Sequence, residues 1–103
     1  MDAVGFKAWL SDNKIYSTSK QVTDCVSRVK RVEKALSEVL SPDFSFENEY
    51  NKDKGQYVKN LLSKRGLNQL MAEISTPALP VGTNQMDTIV TAVKKYFIFL
   101  DSK

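Results

Sequence analysis

One periodic run of apolar residues dominates the sequence and limits what the chain can fold into. Its members recur every three or four residues: Val22, Val26, Val29, Val32, Leu36, Val39 and Leu40. No proline or glycine interrupts this run, and the first proline after it is Pro42. This spacing marks one face of an α-helix, and a hydroxyl cluster at residues 17–19 is a helix-start signal, so we predict one long helix over residues 18–40. Because valine is only a fair helix former, packing against a strong tertiary partner must hold this helix.

Two further periodic runs predict helices near the ends of the chain. Residues 2–11 carry apolar side chains at spacings of three and four, and Asp2 is placed to cap their helix. Residues 84–101 repeat this spacing, with Thr83 or Asn84 as the N-cap. The end of the second run is apolar on nearly all sides, which is typical of a helix central to the core or covered by a partner.

The middle of the chain is less regular. Residues 43–51 fit either a short helical turn or an aromatic clamp under a loop. Asp53 is placed to cap a third helix that runs to about Lys64, and residues 67–74 suggest another short helix. The two prolines and one glycine of residues 75–83 predict a connector on the surface.

Together these elements predict an all-α fold. No strand pair, internal repeat or low-complexity tract is apparent in the 103 residues, and 42% of them are apolar, enough to build a core. We therefore expect residues 1–103 to form a single helical domain, a compact bundle of four to five helices.

The residue types present argue against catalysis. The chain has no histidine and a single cysteine, Cys25, whose valine neighbours indicate a buried core position. The usual zinc sites are therefore excluded, and none of the four glycines belongs to a phosphate-cradling loop. Glu47 and Glu49 are better interpreted as solvated carboxylates than as an acid–base pair. We expect no enzyme activity, cofactor or metal, either for a free-standing protein or for a non-catalytic domain of a larger enzyme.

The sequence also carries no sign of a membrane or an export route. No stretch approaches the roughly 18 apolar residues of a membrane span, and the acidic residue at position 2 does not suit a signal peptide. A lone cysteine fits a reducing compartment. We expect a cytoplasmic location and no membrane partner.

Charge is unevenly distributed along the chain. Residues 14–34 contain six basic and two acidic residues, whereas residues 38–53 contain five acidic residues and one lysine. The overall charge is only +3, so the distribution carries more information than the total. A chain of this kind can present a basic face to nucleic acid or an acidic face to a basic partner.

The basic segment predicts contacts with the phosphate backbone of double-stranded DNA. The proposed contact residues lie away from the valine stripe of the long helix: Lys20, Ser27, Arg28, Arg31 and Lys34. Hydroxyl and guanidinium groups are usual phosphate donors, and the helix start near Lys20 is a natural anion site. The alternative is a solvated face on which Arg31 or Lys34 pairs with Glu33 or Glu38. No pattern specifies a base sequence.

The acidic segment supports a different hypothesis, in which the chain is a protein-interaction module or a small phage-type inhibitor of a host protein. The candidate interface combines aromatic and acidic residues: Phe44, Phe46, Glu47, Glu49 and Tyr50. Such a module would bind a protein partner or form a homo-oligomer.

Three features occur in the order seen in one known family. A short helix bears Phe6-x-x-Trp9-Leu10, the pair Tyr16-Ser17 precedes the long helix, and the chain closes on the apolar run of residues 93–100. This order resembles the N-terminal core-binding (SAM-like) domain of tyrosine recombinases and phage integrases, without their catalytic domain.

The resemblance implies a helical bundle that grips DNA, in a phage, mobile-element or defence protein. It also implies which residues face the DNA: Tyr16, Ser17, Lys20, Arg28 and Arg31. The sequence departs from the family at Lys20, where a threonine is common.

Overall fold

The computed structural model describes residues 1–62 and 84–103 of the protein, and these residues form five α-helices. In chain order the helices are α1 (Ala3–Asp12), α2 (Ser19–Val39), α3 (Phe46–Asp53), α4 (Gln56–Leu61) and α5 (Asn84–Asp101). The described part of the chain contains no strand, which confirms the predicted all-α fold. Its helices pack into one compact bundle with a continuous core.

The two longest predicted helices are confirmed almost to the residue. The start of α2 is held by a capping box, in which the Thr18 hydroxyl accepts from the Gln21 amide (3.1 Å) and the Gln21 side chain accepts from the Thr18 amide (3.2 Å). The α1 cap is also as predicted, because the Asp2 carboxylate accepts from the Gly5 amide at 2.9 Å. Side-chain caps thus define where α1 and α2 begin.

The ambiguous segment 43–51 contributes most of α3, whose N-cap is Ser45. This helix ends at two residues with left-handed backbone, Lys54 (φ 58°) and Gly55 (φ 80°), and α4 follows at once. Asp53 does not occupy the N-cap position predicted for it. Its carboxylate nevertheless accepts from the amides of Gly55 and Tyr57, both at 3.0 Å, and so supports the start of α4.

Several predictions lie outside the described residues. They are the short helix over residues 67–74, the connector at residues 75–83 and the choice of Thr83 as a cap. The third helix, predicted to run to about Lys64, ends at Leu61, and Leu62 after it has extended backbone.

The valine stripe forms the centre of the core, as predicted. Val22, Val26, Val29, Val32 and Leu36 are all buried, and so is Cys25 on the same face; the Val39 side chain is outside the described set. The partners that this helix requires are α1 and α5, which pack against its two sides. Burial of a side chain of this size contributes about 1.5–3 kcal/mol, so the stripe holds α2 despite its modest helix propensity.

The apolar end of α5 lies in the core rather than at a partner surface. Tyr96 and Phe97 are fully buried, whereas Ile98 points outward with 55% of its surface exposed. Phe6 of α1 meets Tyr96 edge to face at 4.9 Å, and Phe46 of α3 meets Phe97 edge to face at 5.6 Å. These aromatic contacts hold α1 and α3 against α5.

Candidate nucleic-acid interface

The outward face of α2 brings the predicted basic residues together. Lys20, Ser27, Arg31 and Lys34 are exposed there, and Arg28 is half-buried beside them. With a rise of about 1.5 Å per residue, the face from Lys20 to Lys34 extends about 21 Å along the helix. It is cationic but not uniformly so, because Asp24 and Glu38 lie on the same side of α2.

Part of this face is concave. A shallow groove of about 470 Å³ is lined by Asp24 and by four of the predicted contact residues, which are Lys20, Ser27, Arg28 and Arg31. Among the described residues, three cations and a hydroxyl therefore share one surface depression with one carboxylate. Such a set of donors suits an anion that runs along the helix.

A second groove lies on the other side of the two arginines, between α2 and α5. It has a volume of about 250 Å³, and Arg28 and Arg31 line it together with Gln85, Thr88 and Ile89. Sequence reasoning did not select Gln85 or Thr88. Each lies one turn before a buried residue of α5, Gln85 before Ile89 and Thr88 before Ala92, but the pattern does not say that this side of the helix adjoins α2.

Tyr16 and Ser17 lie at the start of α2, and both contribute to the local structure. The Ser17 hydroxyl donates to the Gln21 side chain at 3.1 Å, which adds to the helix cap. Tyr16 is half-buried, and the ammonium of Lys95 from α5 lies 5.5 Å from the centre of its ring. Burial, together with a hydrogen bond to the Cys25 thiol, raises the pKa of Tyr16 to about 12, so the phenol is neutral near pH 7.

The contacts between α2 and α5 fix the relative direction of the two helices. Lys95, near the end of α5, lies over Tyr16 before the start of α2, whereas Gln85, near the start of α5, shares a groove with Arg31 in the middle of α2. The helices are therefore antiparallel. We call the surface line between them, from Tyr16 and Lys95 to Arg31 and Gln85, the α2–α5 seam.

Cys25 lies beneath this seam. Burial raises the pKa of its thiol, although the hydrogen bond from Tyr16 and the charges of Lys95 and Arg28 act in the opposite direction. The buried position predicted for Cys25 is confirmed.

The residues of the alternative acidic interface are largely engaged within the fold. Phe46 has no exposed surface, so its place in an interface was wrong: as the first residue of α3 it turns inward onto the aromatic cluster of α5. Phe44 packs on Phe46 at 5.6 Å, and Tyr50 donates a hydrogen bond to Asp101 at 2.5 Å. Glu49 pairs with Lys52 at 3.5 Å.

Glu47 is a half-buried carboxylate with a structural role. It accepts hydrogen bonds from the Tyr96 hydroxyl and from the Asp2 amide (3.2 Å), and it lies 3.6 Å from the amino group of Met1. Burial alone would raise the pKa of Glu47, but these hydrogen bonds and the nearby positive charge outweigh it, so the pKa is lowered. Its task is to join α1, α3 and α5.

A groove of about 420 Å³ does exist on the acidic side of the molecule. Its apolar lining comes from Leu40, Phe44 and Tyr57, and Tyr57 is 47% exposed. Asp43 and Glu49 contribute carboxylates to its lining, and Lys52, the partner of Glu49, contributes its ammonium group. The groove overlaps the predicted interface only at Phe44 and Glu49.

Two kinds of feature are absent from residues 1–62 and 84–103. These residues contain no cluster of three or more histidine, cysteine, aspartate or glutamate side chains able to hold a metal ion. No helix among them has the length and apolar character needed to cross a membrane.

Comparisons with known proteins assign no family to the chain: no family model, no curated protein and no solved structure matches it.

Proposed function

We propose that the protein is a non-catalytic module that binds double-stranded DNA through phosphate contacts from the basic face of α2. The observation that carries this proposal is the position of Arg28 and Arg31. They project from neighbouring turns of one helix, and both line the two grooves that flank them. A guanidinium donates in a planar fork that matches phosphate oxygens, which makes arginine pairs suited to a sugar–phosphate backbone.

The other residues of the face support a contact that extends along the backbone. Lys20 and Ser27 share a groove with the arginine pair, and Lys34 continues the face toward the end of α2. Donors spread over about 21 Å of a rigid helix can meet several successive phosphates. A rigid element also loses little conformational entropy when it binds.

The environment of the Tyr16 ring favours double-stranded over single-stranded DNA as the ligand. Proteins that hold single strands without sequence preference commonly stack bases on exposed aromatic side chains. Among the described residues of the basic face and the seam, Tyr16 is the aromatic one, and its half-buried ring is covered by Lys95. The ring is therefore poorly placed to receive a base, whereas phosphate donors are abundant.

The resemblance to the core-binding domain of tyrosine recombinases and phage integrases points to the same surface. Of the residues that it would place against DNA, Lys20, Arg28 and Arg31 line one groove of α2, and Tyr16 and Ser17 lie at the start of that helix. On this proposal the module serves a phage, mobile-element or defence protein. The bundle positions the DNA, and any chemistry is carried out elsewhere.

A protein-interaction role is the second candidate. The groove beside Asp43 and Glu49 favours it, because an exposed tyrosine and a half-buried phenylalanine at an acidic edge suit an apolar side chain from a basic partner. This candidate requires Tyr57 and Phe44 rather than the buried Phe46.

A charge-reversal experiment tests the DNA proposal. We expect the wild-type protein to retard a 20–30 base-pair duplex in a mobility-shift assay at low ionic strength, and Arg28→Glu/Arg31→Glu to abolish the shift. The matched control is Lys7→Glu/Lys94→Glu, which changes the net charge equally at two exposed positions that line neither groove.

The control should retain most of the binding if the arginine face makes the contacts. Equal loss in both variants would indicate that only total charge matters and would contradict the proposed surface. Absence of any shift by the wild-type protein at low salt would refute DNA binding itself.

A further inference from the structure

We infer that the groove between α2 and α5 is a binding site for a DNA phosphate, with Gln85 and Thr88 of α5 as ligands opposite Arg28 and Arg31. This inference rests on the proposed DNA binding, and it adds a second helix to the interface. Neither the charge pattern nor the family resemblance selects these two residues.

The chemistry of the groove is that of an anion site. The described residues that line it present two guanidinium groups, one amide and one hydroxyl, while the carboxylate of Asp24 belongs to the other groove. The amide and hydroxyl can each donate a hydrogen bond to a phosphate oxygen, and the arginines add charge-assisted bonds. Ile89 is buried and closes the floor of the groove with an apolar surface.

The size of the groove suits a small anionic group that remains attached to a chain. A volume of about 250 Å³ is several times that of one water molecule, roughly 30 Å³, so the groove is large enough for a phosphate group. The groove is open at the surface and shares its arginine wall with the groove on the outward face of α2. A backbone lying along that face can therefore place one phosphate on each side of the arginine pair.

The antiparallel arrangement gives this site a fixed position in the interface. Thr88 lies one helical turn after Gln85, and Lys95 lies two further turns along α5, about 10 Å from Thr88 along the helix axis. Since Lys95 lies over Tyr16, the seam carries a cation at one end and the arginine pair with Gln85 and Thr88 at the other. The two helices together therefore present donors that neither helix would present alone.

Removal of the α5 donors without any change in charge tests this site. In Gln85→Leu/Thr88→Val, we expect the affinity for a labelled duplex to fall about tenfold or more, because two hydrogen bonds to a charged group are lost. The salt dependence of binding should stay as in the wild-type protein, since no cation is removed. Fluorescence anisotropy measured at several salt concentrations reads both quantities.

The matched control is Gln56→Leu/Thr91→Val, which makes the same chemical changes at exposed positions outside both grooves. Near wild-type affinity in the control, with a clear loss in the Gln85/Thr88 variant, supports the site. Wild-type affinity in the Gln85/Thr88 variant, or an equal loss in the control, would overturn the site and leave DNA binding intact. No binding by the wild-type protein would instead refute the proposed function on which the site rests.

Discussion

The strongest quantitative prediction concerns the salt dependence of DNA binding by Arg28→Ala/Arg31→Ala. The proposed contact surface includes four of the five cationic side chains of α2: Lys20, Arg28, Arg31 and Lys34. If each neutralises one phosphate, counterion release gives a slope of log K against log salt of about −3.6. The double variant retains two of the four cations, so its slope should be about −1.8.

These slopes translate into measurable ratios. Between about 50 and 200 mM salt, the wild-type affinity should fall by roughly 150-fold and that of the variant by only about 12-fold. The assay is fluorescence anisotropy of a labelled duplex of about 25 base pairs, titrated at five salt concentrations. Circular dichroism should show the same helix content for both proteins, because neither arginine belongs to the buried core.

The control for this prediction is Lys7→Ala/Lys94→Ala, which removes two exposed lysines away from both grooves. Its slope should remain near −3.6, since those lysines touch no phosphate in the proposed complex. An unchanged slope in the arginine variant, or an equal decrease in the control, would refute the assignment of the contacts to α2.

Other predictions concern the fold that presents this surface. Thr18→Ala removes the capping hydroxyl of α2 and should lower the free energy of unfolding by about 1 kcal/mol, measured by urea denaturation; no change would refute its capping role. Phe46→Ala leaves a cavity beside Tyr96 and should cost about 3–5 kcal/mol, and a cost below about 1 kcal/mol would contradict its core position. Because the folded pKa of Glu47 is lowered, its contribution is present above its ordinary value of 4.5 and is lost as pH falls, so Glu47→Gln should weaken the pH dependence of unfolding in that range. The pKa of Tyr96 is raised by burial and by the hydrogen bond to Glu47, so its contribution is complete below pH 10.0 and is lost above it; Tyr96→Phe should reduce this alkaline loss in a thermal-melt series.

The helices that could be read from the sequence are those with a long apolar period and a side-chain cap. Residues 18–40 combine both signals, and α2 follows that prediction closely. The segment around Phe46 remained ambiguous because eight residues contain too few turns for a period to emerge. Its inward direction is decided by the aromatic side chains of α5, which are distant in sequence.

The candidate site also contains residues that the sequence could identify and residues that only helix packing brings together. Residues of one helix share a face through a local rule of about 3.6 residues per turn, so the sequence identified Lys20, Ser27, Arg28 and Arg31 as neighbours. The opposite wall of the second groove comes from residues more than fifty positions away. Only the packing of α5 antiparallel to α2 places Gln85 and Thr88 beside the arginine pair.

The acidic segment illustrates the limit of reasoning from charge. Composition made Glu47 look like a solvated carboxylate, because a run of polar residues carries no information about which of them has a buried partner. The structure assigns it to the Tyr96 hydroxyl and the backbone of α1, two contacts that span more than forty residues each.

The sequence by itself therefore determined the fold class, the long central helix with its valine core and the cationic character of one face. Each of these depends on periodicity, capping or charge within a few turns of one segment. The tertiary structure alone decided which polar side chains form hydrogen bonds and ion pairs within the fold. It also decided which second helix completes the surface around Arg28 and Arg31. Those outcomes depend on contacts between distant segments, and the direction in which two helices pack is set by the whole core rather than by either helix.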